Sequence, residues 1–489
     1  MSPLTANQQQ MLADNAWLHF CQMGNFVSTN ARPLVLVRGE GSRLWDHEGR
    51  EYLDALSGLF TVNVGYGRHE IIDAIAQQLQ SIAFVSPFGF PSLPLLELAG
   101  KLAAIAPTGP ASRSFFVTSG SEAVEAALKM AKAYQRKQGF PERTKVVARR
   151  GSYHGVTMGA LSATGVPEYR KGFGPLVPGA RHVPPPYPYR CRHCAQCSAC
   201  TGGCADDFEE ILEFEDPTTV AVVIMEPVQN SGGALVTPPI YIQRVRELCD
   251  HYGIVLVADE VINAFGRVGG WFGSSELGLR PDIVTVAKGI TSGYAALGAV
   301  IASKQIADAF LGTDDNKFMH GSTFGGHVGS CAAALATLGI LEREQLPERS
   351  RQVGAWLLQR LREVFADHPN VGDVRGKGMF IAIELVRDRE TRESLSQEVQ
   401  LMEWLSDQLL QHGLICRADD RMEPVIQVAP PLVMTMEELD LLVHRLTDVL
   451  HVLGRRLDSV PARYAAVPLP AASAVPPVAT PARSPSIAA

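Results

Sequence analysis

Hydrophobic and polar positions along this 489-residue chain follow two periods. Short, mostly apolar runs at 115–117, 145–148, 220–225, 254–258, 282–287 and 298–302 have the length and β-branched content of strands buried on both faces of a sheet. Before and among them, 70–81, 93–104 and 122–137 carry apolar residues at helical spacing. This alternation over about 66–335 predicts an α/β fold, a large domain whose mostly parallel central sheet is wrapped by helices. Upstream, the pattern predicts a helix around 11–23 and two short strands at 33–37 and 43–46. Arg38-Gly39-Glu40-Gly41-Ser42 separates those strands, a hairpin pattern with glycine near the turn. Downstream, helices near 350–365 and 395–412 and strands near 379–385 and 425–429 read as a smaller α+β domain. Residues 461–489 hold seven prolines and ten alanines without a hydrophobic period and read as a disordered tail. The expected divisions are a 1–65 segment packing with the small domain, a 66–345 large domain with a cysteine-rich insertion at 185–206, a 346–457 small domain and a 458–489 tail. No internal repeat is visible.

Composition narrows this further. With 46% hydrophobic and 19% charged residues, the chain has the balance of a soluble globular protein with a large core. A net charge of −7 with no basic block argues against a nucleic-acid partner. No apolar stretch reaches the ~18 residues of a spanning helix, so no membrane partner is expected. The first residues, MSPLTANQQQMLADNAW, have neither a basic n-region nor an apolar h-region, and a cytoplasmic location is the expectation.

The runs at 254–258 and 282–287 each stop at one ionisable residue, Asp259 and Lys288. In open α/β sheets the ligand crevice lies at the carboxyl ends of the strands. An acid and an amine delivered to one dry crevice is what pyridoxal phosphate requires. The amine forms a Schiff base, and the acid keeps the pyridine nitrogen protonated so that the ring acts as an electron sink. Desolvation there would remove the proton that a lysine of pKa ~10.4 ordinarily keeps. Ser119 with Glu122 three residues on fits a capping box, which starts a helix beside Gly120 and Ser121. A helix N-terminus built of small residues suits a phosphate group. Ser152-Tyr153-His154-Gly155 follows the run at 145–148, where an aromatic ring is placed to stack on a pyridine.

Thr118-Ser119-Gly120-Ser121-Glu122, Tyr153-His154-Gly155, Glu226-Pro227-Val228-Gln229, Asp259-Glu260-Val261, Ala287-Lys288-Gly289 and Gly321-Ser322-Thr323-Phe324-Gly325-Gly326-His327 together resemble the class III aminotransferases, pyridoxal-phosphate enzymes of fold type I. The order and spacing agree from about 30 to 450. Leu59-Phe60-Thr61-Val62-Asn63-Val64-Gly65-Tyr66-Gly67 and Thr291-Ser292-Gly293-Tyr294 are similar to the omega-amino acid and amine:pyruvate branch, which includes taurine– and β-alanine–pyruvate enzymes.

The resemblance implies ping-pong transamination from an omega-amino acid or primary amine to pyruvate or a similar keto acid, through a Lys288 Schiff base. It implies Lys288 as the proton-moving base, Asp259 on the pyridinium nitrogen, and Val261 on the ring face opposite Tyr153. It places Ser119, Gly120, Ser121 and His154 around the cofactor, Gln229 on the ring 3-oxygen and Glu226 towards the substrate. Thr323 would come from the neighbouring subunit, which implies a homodimer with shared active sites, or a tetramer. Phe60, Phe88 and Tyr153 fall where the branch has substrate contacts; many relatives have Trp at Phe60, so a roomier pocket is expected. Arg417 falls where the branch carries an arginine for the keto acid carboxylate that swings aside for apolar amines; a guanidinium fork suits that planar group. A racemase, aminomutase or decarboxylase would share the Lys288–Asp259 core, and a cysteine-cluster binding protein on a retired fold is a further alternative.

Five of the nine cysteines fall at Cys191, Cys194, Cys197, Cys200 and Cys204. Their spacing leaves three readings open: a structural metal such as zinc, disulfides or free thiols, and a redox cluster.

Overall fold

The computed structural model describes residues 5–27, 33–191, 193, 202–395 and 400–457. The tail expected over 458–489 lies outside the described residues, as do Cys194, Cys197 and Cys200.

Seven strands form the central sheet: β1 (Arg113–Val117), β2 (Lys145–Arg149), β3 (Ala180–Val183), β4 (Val220–Met225), β5 (Val255–Asp259), β6 (Ile283–Val286) and β7 (Gly298–Ala302). Their spatial order is β1-β7-β6-β5-β4-β2-β3. The pairs β6–β5, β5–β4, β4–β2 and β2–β3 are parallel, while β7 runs antiparallel to both β6 and β1. Every residue of β4 and β5 is buried, as continuous apolar runs require when helices cover both faces. On one face the helix α1 (Gly120–Lys137) packs Ala123, Ala127 and Ala131 against Val146, Val222 and Ile224. Alanine side chains let that helix lie close to the sheet. Strand β3 was not foreseen: at the sheet edge, Ala-Arg-His-Val is only partly buried and carries no apolar run.

A second, antiparallel sheet follows: β8 (Val371–Lys377), β9 (Phe380–Asp388), β10 (Arg417–Asp419) and β11 (Val425–Val428), in the order β8-β9-β11-β10. Helices Leu346–Val364 and Met436–Arg456 pack in this part of the molecule. The latter, opened by a Thr435–Glu438 capping box, is absent from the pattern-based expectation. Near the N-terminus, Leu36–Glu40, Arg43–Asp46 and Glu51–Asp54 make a small sheet whose fourth strand is Leu414–Ile415. The first helix spans Ala6–Asn15 rather than 11–23, because Thr5 and Gln8 close a capping box that starts it earlier. Among the described residues no helix is long and apolar enough to cross a membrane.

Candidate active site

Five strands of the central sheet deliver their carboxyl ends to one crevice. Ser119 follows β1, Tyr153 and His154 follow β2, Glu226 follows β4, Asp259 ends β5 and Lys288 follows β6. A cavity of about 140 Å³ there is lined by Ser119, Gly120, Ser121, Tyr153, His154, Gly155, Glu226, Asp259, Val261, Ile262 and Lys288.

Ser119 caps α1, its Oγ accepting from the amide of Glu122 at 3.2 Å. The reciprocal half of the box is not made. The Glu122 carboxylate instead takes the amide and hydroxyl of Thr118, at 2.7 and 2.6 Å. The amides of Gly120 and Ser121, at the first two positions of α1, have no intrahelical acceptor and are left for an anion. A Cβ on Gly120 would lie 2.8 Å from Val261, so the helix start and the Val261 loop approach as closely as glycine permits.

Asp259 is held on both oxygens. Its Oδ2 lies 2.7 Å from Nδ1 of His154, and its Oδ1 accepts from the Val261 amide at 3.1 Å and the Thr285 hydroxyl at 3.2 Å. Glu226 accepts from the amides of Tyr153 and Asn230, at 3.2 and 3.0 Å; burial raises its pKa. Lys288 occupies a left-handed backbone position (φ 46°), uncommon for a side-chain-bearing residue and characteristic of a locally constrained site. Burial lowers its pKa to about 8, against the opposing pull of Asp259 and Glu226.

The remaining expected residues do not line this cavity. Gln229 is buried, its Nε2 donating to the carbonyls of Arg150 and Ser231, while Oε1 has no hydrogen-bond partner among the described residues. Phe60 is 1% exposed and packs edge-on against Phe380, with its ring centre 5.9 Å from the Lys288 amine. Phe88 is 65% exposed, and Thr323 is exposed in the single chain. Arg417 is half-buried on β10, beside Tyr169, whose ring meets Tyr153 edge-on at 5.7 Å. Cys191 is half-buried and Cys204 buried in the first turn of the helix Gly203–Phe214. Among the described residues no cluster of three or more His, Cys, Asp or Glu is arranged to hold a metal.

Sequence reasoning missed the turn after β10. Arg421 is clamped on Asp419, and Met422 lies against Gln229, where Cβ atoms on Gly151 and Gly232 would strike its sulfur. The signal is the alternation of charge in Arg417-Ala418-Asp419-Asp420-Arg421, of which the resemblance singles out only Arg417.

The observed groups fit pyridoxal phosphate. A buried amine faces a buried carboxylate, a helix start is open to phosphate, and two buried polar atoms, Nε2 of His154 and Oε1 of Gln229, have no hydrogen-bond partner among the described residues.

Comparison with known proteins agrees. The family model for aminotransferase class-III matches residues 26–450. A probable aminotransferase of Mycobacterium tuberculosis is 45% identical over 90% of this chain and 94% of its own length. A taurine–pyruvate aminotransferase of Bilophila wadsworthia is 39% identical over 78% of this chain and 83% of its own. The crystal structure of an (S)-enantioselective omega-transaminase from Thermomicrobium roseum superposes with a TM-score of 0.85 at 40% identity, covering 93% of this chain and 100% of that one.

Proposed function

Because this chain belongs to the class III aminotransferases, whose typical cofactor is pyridoxal phosphate, we propose that it moves an amino group from an omega-amino acid or primary amine to pyruvate or a similar keto acid. The observation that carries the reading is Arg417. It is a half-buried guanidinium beside the Tyr169–Tyr153 pair, and among the described residues it makes no ion pair within 4 Å, with Asp419 the carboxylate that acts on it from farther away. Asp419 acts on this guanidinium only at longer range, and a carboxylate-bearing substrate would supply the close ion pair it lacks. The taurine–pyruvate relative and the omega-transaminase structure support the same direction.

Gly120 and Ser121 would hold the phosphate at the start of α1, Asp259 the ring nitrogen and Gln229 the ring oxygen, with Val261 and Tyr153 on the two ring faces. Bound there, the cofactor supplies an electron sink for the pair left when the substrate's amine-bearing carbon loses its proton. Lys288, kept largely neutral at mildly alkaline pH by burial, accepts that proton at Nζ and returns it elsewhere. His154 holds Asp259 in place, and Glu226, tied to two backbone amides, keeps the Tyr153 loop at the substrate side. Thr323 together with exposed Phe84, Phe88 and Phe324 offers a face for a second copy of the chain, which would complete the site. For the cysteine run, a structural zinc ion is the occupant that the thiol spacing supports; elemental analysis of protein purified under reducing, chelator-free conditions checks it.

The test is a half-reaction. Given an amine donor alone, the holoenzyme should lose its absorbance near ~420 nm stoichiometrically and recover it on adding pyruvate. Release of product without that cycle would favour a racemase or decarboxylase.

A further inference from the structure

Arg417 and Asp419 stand two residues apart on β10, opposite Gln427 and Val425 of β11. Alternation puts both side chains on one face of the sheet, about 7 Å apart along the strand. A half-buried arginine and a buried aspartate at that spacing are natural partners, yet they form no ion pair within 4 Å. Asp419 is taken by Arg421. Its Oδ1 accepts Nε of Arg421 at 2.7 Å and its Oδ2 accepts Nη2 at 2.5 Å, a two-point fork, with the Arg421 amide and the Gln427 side chain completing its shell at 3.3 and 3.4 Å. Arg417 is left with Tyr169 as a neighbour and no carboxylate ion pair among the described residues.

We propose that Arg421 is a positioning residue: by occupying Asp419 it keeps the Arg417 guanidinium free for a substrate carboxylate. Charge and geometry both favour this arrangement. A carboxylate engaged bidentately has little left to offer a second guanidinium. Arg421 also lies over the Tyr169 ring, 5.9 Å from its centre, so the two arginines flank one tyrosine while only Arg421 holds Asp419. If Arg421 were absent, Asp419 would be the nearest strand neighbour to capture Arg417, and a keto acid would have to displace it. A donor without a carboxylate needs no such fork, so the device acts on the acceptor half of the reaction. The inference rests on the reading of Arg417 as the carboxylate-binding residue.

Steady-state kinetics of four variants of the holoenzyme test both layers. Arg421→Met should raise the KM for pyruvate about tenfold or more, the size of one competing charged hydrogen bond, with kcat at saturating pyruvate and the KM for an uncharged amine within about twofold. Asp419→Asn breaks the same pair but removes the competitor, so its KM for pyruvate should stay within about threefold of the parent, and Asp419→Asn/Arg421→Met should restore most of the loss. Equal harm from Asp419→Asn and Arg421→Met, or no rescue in the double variant, would mean that the pair is only structural. Arg421→Met with an unchanged KM for pyruvate would overturn the proposal outright. Should Arg421→Met fail to fold, Arg421→Gln, which also gives up the two-point charge pair with Asp419, takes its place in the same comparison. Arg417→Ala separates the layers. Equal losses for amine and keto acid would refute the fork itself, whereas a loss selective for the keto acid beside an indifferent Arg421→Met refutes only the role of Arg421.

Discussion

Nδ1 of His154 lies 2.7 Å from Oδ2 of Asp259, a contact between residues 105 apart in the chain and buried on both sides. With the Val261 amide and the Thr285 hydroxyl on Oδ1, this pins the carboxylate in one orientation at the end of β5. Hydrogen bonds to charged groups contribute about 1.5–3 kcal/mol each. His154→Ala should therefore weaken pyridoxal phosphate binding roughly tenfold to a hundredfold, read by titrating the apoenzyme and following absorbance. Unchanged affinity and turnover would show that Asp259 needs no such support.

Asp259→Asn keeps the shape and removes the charge. The cofactor should still be taken up, while turnover falls by about a hundredfold or more, since a neutral amide cannot stabilise a protonated ring nitrogen. Single-turnover rates with excess donor measure this directly. Parent-like rates would remove Asp259 from the electronic role.

Lys288 sets a pH dependence. Burial brings its pKa from 10.5 to about 8, so the free amine becomes the major form above pH 8. Capture of pyridoxal phosphate by the apoenzyme should accelerate about tenfold per pH unit below that value and level off above it. The same shift has a stability sign. Between pH 8 and 10.5 the unfolded chain holds a proton on this lysine that the native state has shed, so apoenzyme stability from this group rises with pH across that window. Lys288→Met should abolish the rise in denaturation midpoints, and an identical pH profile in that variant would assign it to other groups.

Gly155 is a second constraint on the phosphate end of the site. It has φ +113°, and a Cβ there would lie 2.4 Å from Oγ and 2.9 Å from Cα of Ser121. Gly155→Ala should cost about 2 kcal/mol or more in chemical denaturation and loosen cofactor binding together, because strain and clash fall on the helix start that would hold the phosphate. A stable variant with full cofactor affinity would show that the loop can relax.

The strands at 220–225 and 298–302 were legible to the residue, because a strand buried on both faces leaves no choice but a continuous apolar run. Ser119 as a helix cap was equally plain, since capping acts over three residues. Edge strand β3 and the helix Met436–Arg456 were not read. The first is short and half-polar, and the pattern of the second was passed over despite its Thr435–Glu438 box. Strand order was also out of reach, because β7 enters between β1 and β6 through pairings 113–302 and 286–299 that no local pattern encodes.

Within the site the same division holds. The residues that end the apolar runs, Asp259 and Lys288, and the small residues at Gly120 and Ser121 follow from local period, capping and strand-end chemistry. What they touch does not. The hold of His154 on Asp259, the backbone amides that fix Glu226, the burial that lowers the Lys288 pKa and the clamp of Arg421 on Asp419 all arise when separate strands and turns pack into one dry volume. The chain by itself determined which chemical groups reach the crevice, since periodicity and chain termination of strands are local. Only the tertiary structure decided their partners, because hydrogen bonding and desolvation depend on which distant segments share the space.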